Sequence, residues 1–119
     1  MQRNPAPSPE PRVLIMCAVD FTVRQFLLPL AVALREHGCR VTITCSRGPM
    51  FDGIRREGHD LQENPVSRSM NVFSHAAAVW RTYRLLRRTR FDVVHVHTPI
   101  AALIGRVAAR LAGVPVIIY

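Results

Sequence analysis

The chain has 119 residues, 49% of them apolar, which suits one globular domain with a real core and excludes a chain disordered throughout. Its formal charge is +8 and it contains no lysine, so all 16 basic residues are arginine. Such a balance points to an anionic partner (nucleotide, lipid phosphate, nucleic acid or acidic membrane face), although GC-rich coding also produces an all-arginine set.

Residues 1–11, with Pro5, Pro7, Pro9 and Pro11, read as a disordered leader, and residues 12–119 as the folded domain. Arg12 to Ala18 is continuously apolar after its first residue, as expected of a central parallel strand buried on both faces. A loop follows from Val19 to Arg24, then a helix to about His37. Val23, Phe26, Leu27, Leu30, Ala31 and Leu34 form its core-facing stripe, and Pro29 either delays its start or bends it. Val41 to Cys45 is the second strand. Pro49 opens a short helix with Phe51 and Ile54 inward, and a weak strand near Asp60 to Val66, broken by Asn64-Pro65, suits a sheet edge.

A loop over Ser67 to Asn71 leads into a long helix, Val72 to Arg90. DVVHV is the fourth strand. Thr98 can cap the next helix, with Pro99 at its first position. That helix carries Ile100, Leu103, Ile104, Val107, Ala108 and Leu111 at the spacing of an apolar stripe, and VPVIIY begins a fifth strand. Helices end at Gly38, Gly58 and Gly113, each with a strand about two residues on. Alternating units of this kind give an α/β fold, a doubly wound parallel sheet with order 3-2-1-4-5. The chain stops in mid-strand at Tyr119, and an open strand edge is one that complete proteins cover, so the sequence reads as a fragment whose partner domain is missing.

Cys17, Cys39 and Cys45 are odd in number, lie in or beside strands and lack CxxC spacing. They read as three buried free thiols in a reducing cytoplasm, with no metal site. No stretch has the form of an export signal or a membrane span.

In this topology the switch point lies outside the carboxyl ends of the first and fourth strands. The loops there offer Asp20, Thr22, Arg24, His97 and Thr98, and two helix N-termini that favour an anion. Alternatives stand beside each: His97 acts in a site or caps the helix, Asp20 enters the site or only caps, and Arg24 binds an anion or is simply solvated. His95, inside the strand, reads as a hydrogen-bonded core histidine. Arg68 in the preceding loop can add to an anion site. In the long helix Arg81, Arg84 and Arg88 share a face with Arg87 adjacent, while Phe73, Ala76, Ala77, Trp80 and Tyr83 form the other. That helix lies on an anionic membrane or else packs its aromatic side on the sheet.

Several motifs are missing. No GxGxxG follows the first strand, no GxxxxGK[ST] loop or GxSxG elbow occurs, and the lack of lysine weighs against a phosphoacceptor receiver. Nothing resembles a nucleic-acid-binding signature, so nucleic acid is not expected as a partner.

The stretches VDFTVRQFLLPLAVALREHGCRVTITC, PVSRSMN and FDVVHVHTPIAALIGRVAARLAGVPVIIY resemble the N-terminal domain of family 4 glycosyltransferases, over residues 12 to 119. The likeness is to bacterial enzymes that build capsules, lipopolysaccharide and other lipid-linked surface glycans. It implies the GT-B fold, two Rossmann-like domains facing across a cleft, with retaining transfer and no metal or other cofactor. The N-terminal half would bind the acceptor, a glycan or polyprenyl-diphosphate sugar. The nucleotide-sugar donor would sit on the missing C-terminal domain, so this chain alone would be inactive. The acceptor-side residues would be Asp20, Thr22, Arg24, Arg68, His97 and Thr98, with Arg81, Arg84, Arg87 and Arg88 facing a membrane from the cytoplasmic side. Three departures stand out: no glycine in the turn Val19-Asp20-Phe21-Thr22, no His-Gly segment after the fifth strand, and no glutamate-bearing donor domain. The rival expectations are a non-catalytic module binding an anionic lipid or partner domain, and a small nucleotide-binding domain.

Overall fold

β1 (Arg12–Met16) is the centre of the sheet, with both neighbours parallel to it: β2 (Arg40–Cys45) on one side and β4 (Val93–Val96) on the other. β3 (Leu61–Glu63) and β5 (Val116–Ile118) complete the order β3-β2-β1-β4-β5, the one expected. The computed structural model describes residues 10–66 and 72–119. Side chains alternate across β1, so Val13 and Ile15 face one layer and Leu14 and Met16 the other, each with its own core cluster. β3 sits at the edge, as its Asn64-Pro65 break suggests.

The first helix, α1, begins at Asp20 rather than after Arg24. It comprises Asp20–Thr22, a π-helical turn Val23–Leu27, and Leu28–Glu36. The amide of Leu28 donates to the Val23 carbonyl, five residues back. Pro29 has no amide hydrogen and its ring would press on the carbonyl four residues earlier, and the wider turn makes room for it. The extra residue also shifts the helix phase. Leu28 turns inward beside Leu27, while Phe26, expected in the core, is 69% exposed.

α2 (Phe51–Arg56) buries Phe51 and Ile54 as expected. On the other face lie α3 (Val72–Arg88) and α4 (Pro99–Ala112). The glycines at 38, 58 and 113 all adopt left-handed φ, between 77° and 97°, and end their helices as expected.

Both helices of this layer correct the stripe reading. α4 buries Ala101, Ala102, Ile104, Gly105, Ala108 and Ala109, while Leu103, Val107 and Leu111 face outward. Small residues let the helix lie close to β1 and β4: a Cβ on Gly105 would collide with Val96 Cγ1 and lie 3.1 Å from Met16 Sδ. α3 buries Ala78, Thr82 and Leu86. Its aromatic side does not pack on the sheet: Phe73 and Trp80 are exposed, and Trp80 stacks on half-buried Tyr83 with centroids 5.9 Å apart.

Candidate functional site

The pairing of Met16 with Val96 puts the carboxyl ends of β1 and β4 side by side, and the His97 amide donates to the Met16 carbonyl at 2.8 Å. The β4–α4 turn then follows. Thr98 holds φ 70° and ψ 144°, and it is the one non-glycine residue with positive φ among those described. For a β-branched residue this backbone is strained, and such strain persists only where the surroundings impose it. Thr98 occupies the N-cap position as expected, and its carbonyl accepts the Ala102 amide at 2.8 Å. Its hydroxyl, however, caps nothing. Thr98 Oγ1 and His97 Nε2 are both buried without a hydrogen-bond partner. Two adjacent orphaned polar atoms are a marked departure from normal satisfaction of buried groups.

The His95 and His97 rings lie 4.1 Å apart between centroids. Burial lowers the pKa of both, and for His97 the neighbouring His95 lowers it further. His97 is therefore a neutral imidazole near pH 7, able to offer one donor or one acceptor at Nε2. His95 is half-buried within β4, not deep in the core.

The other lip is engaged elsewhere. Asp20 is buried, and its Oδ2 accepts the Met50 amide at 2.7 Å. It neither caps its own helix, whose N-cap is Val19, nor opens toward the turn; it ties the start of α1 to the β2–α2 loop. Gly48 makes that contact possible, since a Cβ there would lie 2.5–2.7 Å from the Asp20 carboxylate. Arg24 spans to α2, where Nη1 and Nη2 donate to Glu57 Oε1 and Oε2 at 2.9 and 2.8 Å. Thr22 is half-buried on the first turn of α1. Arg68 lies outside the described residues. Sequence reasoning missed Gly48 and the strained state of Thr98; only a tight approach and a dihedral angle reveal them.

On α3, Arg81 reaches down to Asn64 Oδ1 at 3.3 Å and the Pro65 carbonyl at 2.8 Å, whereas Arg84, Arg87 and Arg88 are exposed. Asn64 in turn donates to the buried Thr82 hydroxyl at 2.7 Å, linking the end of β3 to this helix. Cys17 and Cys45 are buried free thiols, as expected, but Cys39 is only half-buried. Among the described residues no group of three His, Cys, Asp or Glu side chains is placed to hold a metal, and no helix is long and apolar enough to cross a membrane.

The family model for Glycosyltransferase Family 4 matches residues 23–119. The chain belongs to this family. A curated relative, UDP-Gal:alpha-D-GlcNAc-diphosphoundecaprenol alpha-1,3-galactosyltransferase of Escherichia coli, is 28% identical over 80 residues, which cover 66% of this chain and 21% of that enzyme. Among solved structures, MurG of Acinetobacter baumannii superposes with a TM-score of 0.73 at 23% identity, over 90% of this chain and 34% of MurG. A glycosyltransferase from Rickettsia africae gives 0.74 at 17% identity, over 91% of this chain and 28% of that one. The family 4 chain thus spans between 21% and 34% of the length of these proteins. At such identities the superpositions show the fold: the Rossmann-like half expected of a GT-B enzyme.

Proposed function

We propose that this family 4 chain is the acceptor-side domain of a retaining glycosyltransferase, which moves a sugar from a nucleotide-sugar to a lipid-linked or cell-surface glycan. The observation that carries the reading is the pair of buried, unpartnered atoms at the β4–α4 turn, His97 Nε2 and Thr98 Oγ1. They lie beside the amides at the start of α4, at the crevice where doubly wound sheets take ligands. A neutral imidazole nitrogen, a hydroxyl and helix amides suit a sugar hydroxyl or a phosphoryl oxygen. Thr22 lies on the neighbouring first turn of α1, Asp20 and Arg24 shape that lip through Met50 and Glu57, and Arg68 is an outer phosphate contact in this proposal. The donor would be held by a second α/β domain facing the same edge, so this chain would supply part of the catalytic set.

The name of the E. coli relative specifies UDP-galactose and a diphosphoundecaprenol-linked N-acetylglucosamine, and a substrate pair of that class is the one proposed here. Such an acceptor resides in a membrane. Exposed Arg84, Arg87 and Arg88, with Arg81 near them and Trp80 and Phe73 alongside, fit an anionic bilayer on its cytoplasmic side.

The test uses the intact enzyme with labelled UDP-galactose and a short-chain prenyl-diphosphate N-acetylglucosamine. His97→Ala should lower kcat/KM about 10- to 100-fold, the loss expected when a buried hydrogen bond to substrate goes unmade. Unchanged turnover would remove the turn from the site. Salt-sensitive vesicle binding with no transfer under any donor would instead favour a non-catalytic lipid-binding module.

A further inference from the structure

A cavity of about 500 Å³ opens at the amino ends of the strands, the edge of the sheet opposite His97 and Thr98. Arg12 begins β1, Arg40 begins β2, Arg35 comes from the last turn of α1, and all three line it. The carboxylate in the lining, Asp60, is already satisfied by neutral donors: Thr42 Oγ1 at 2.7 Å and Gln62 Nε2 at 3.5 Å. The carbonyls at the end of α1 are also occupied, with Leu34 and Arg35 accepting the Cys39 and Gly38 amides. The guanidinium groups are therefore poorly compensated. Arg40 has only a loose pair with Glu10 at 3.8 Å, and Arg12 and Arg35 form no ion pair among the described residues. Arg35 Nη2 is buried with no hydrogen-bond partner.

A buried guanidinium nitrogen without an acceptor is costly, and a protein keeps one where something supplies the acceptor. Solvent does so poorly for a buried atom. Three forked cations against one carboxylate match a doubly or triply charged oxyanion better than a lone carboxylate. The volume exceeds that of a single phosphate and leaves room for a diphosphate or for the organic part of a phosphate ester.

We propose that this basin is a phosphoanion-binding site, which takes a phosphate ester or diphosphate on Arg12, Arg35 and Arg40. It stands apart from the reading of the β4–α4 turn and does not depend on it. The phosphoryl group can come from a soluble metabolite or from a lipid headgroup; the recognition chemistry is the same.

The probe is inorganic pyrophosphate, titrated calorimetrically into the whole chain at low and moderate salt. Wild type should bind with salt-sensitive affinity. Arg35→Gln and Arg40→Gln should each weaken binding by about tenfold or more, as expected for loss of a charge-assisted contact. Arg40 has a mostly exposed side chain, so its variant keeps the result readable if Arg35→Gln fails to fold. Arg56→Gln, an exposed arginine outside the basin, should leave the affinity unchanged, which separates this site from general surface charge. No binding at millimolar pyrophosphate, or binding lost in Arg56→Gln and retained in both basin variants, overturns the assignment. Vesicles of phosphatidylglycerol then distinguish the sources. Arg40→Gln-sensitive sedimentation identifies a lipid headgroup, and pyrophosphate binding without sedimentation identifies a soluble ligand.

Discussion

Replacing Thr98 with glycine should make this domain more stable and the enzyme less active. The left-handed φ of Thr98 represents strain of about 1–3 kcal/mol, which glycine does not experience. The same change deletes a buried hydroxyl without a partner, a group whose burial costs about 1–3 kcal/mol. Against these, glycine adds backbone freedom to the unfolded chain, worth about 0.5–1 kcal/mol, and removes a half-buried methyl worth about 0.8 kcal/mol. With the gains near their lower ends, the balance is about 0.5 kcal/mol in favour of Thr98→Gly, or roughly 2 °C in Tm for a domain of this size. Urea and thermal unfolding followed by circular dichroism measure it, with Thr98→Ser as the control that keeps both strain and hydroxyl. Sugar transfer by the intact enzyme should fall in Thr98→Gly and survive in Thr98→Ser. A glycine variant less stable than wild type by about 1 kcal/mol would refute the reasoning, because the turn would then be neither strained nor unsatisfied.

Gly105→Ala should destabilise by about 1–2 kcal/mol, the collision with Val96 outweighing the roughly 1 kcal/mol that alanine gains in a helix; equilibrium unfolding gives the sign. Burial pushes the Cys17 thiol up to about 11 and the Cys45 thiol up to about 12, so a disulfide reagent near neutral pH should label Cys39 alone in the native state and all three thiols after unfolding. Hydrogen bonding and charge from Arg24 hold the Glu57 carboxyl below its ordinary 4.5. The folded form thus binds that proton more weakly than the unfolded form. Its contribution is present above the unfolded value and lost as pH falls through the lower folded one. Glu57→Gln should flatten the acid limb of the stability–pH curve, more clearly at low salt, and an unaltered limb would show the pair to be without effect.

Much of this molecule was legible in its residues. Continuous apolar runs, three helix-ending glycines and the regular alternation of units are local signals, and together with the handedness of crossovers they leave few topologies open. They led to the observed strand order and to the switch point beside the β4–α4 turn, while the family was legible only as the resemblance of particular stretches such as VHVHTP. Periodicity was weaker as a guide to which side of a helix faces inward. α4 carries apolar residues almost all round, so the Leu103–Val107–Leu111 stripe and the alanine–glycine side both satisfied the pattern. The close approach to Val96 and Met16 selected the small residues, and no spacing rule contains that distance.

The same division runs through the site. That Asp20, Arg24, His97 and Thr98 gather near one end of the sheet followed from sequence order. Which of them hold open groups did not. Asp20 and Arg24 are taken by Met50 and Glu57, partners 30 and 33 residues away, whereas His97 and Thr98 keep unmatched polar atoms. The sequence alone determined the parallel sheet, its switch point and the residue types brought there, because those depend on local propensity and connectivity. Tertiary structure alone decided helix facing, the strain at Thr98 and the arginine basin at the opposite edge, because each depends on contacts between residues far apart in the chain.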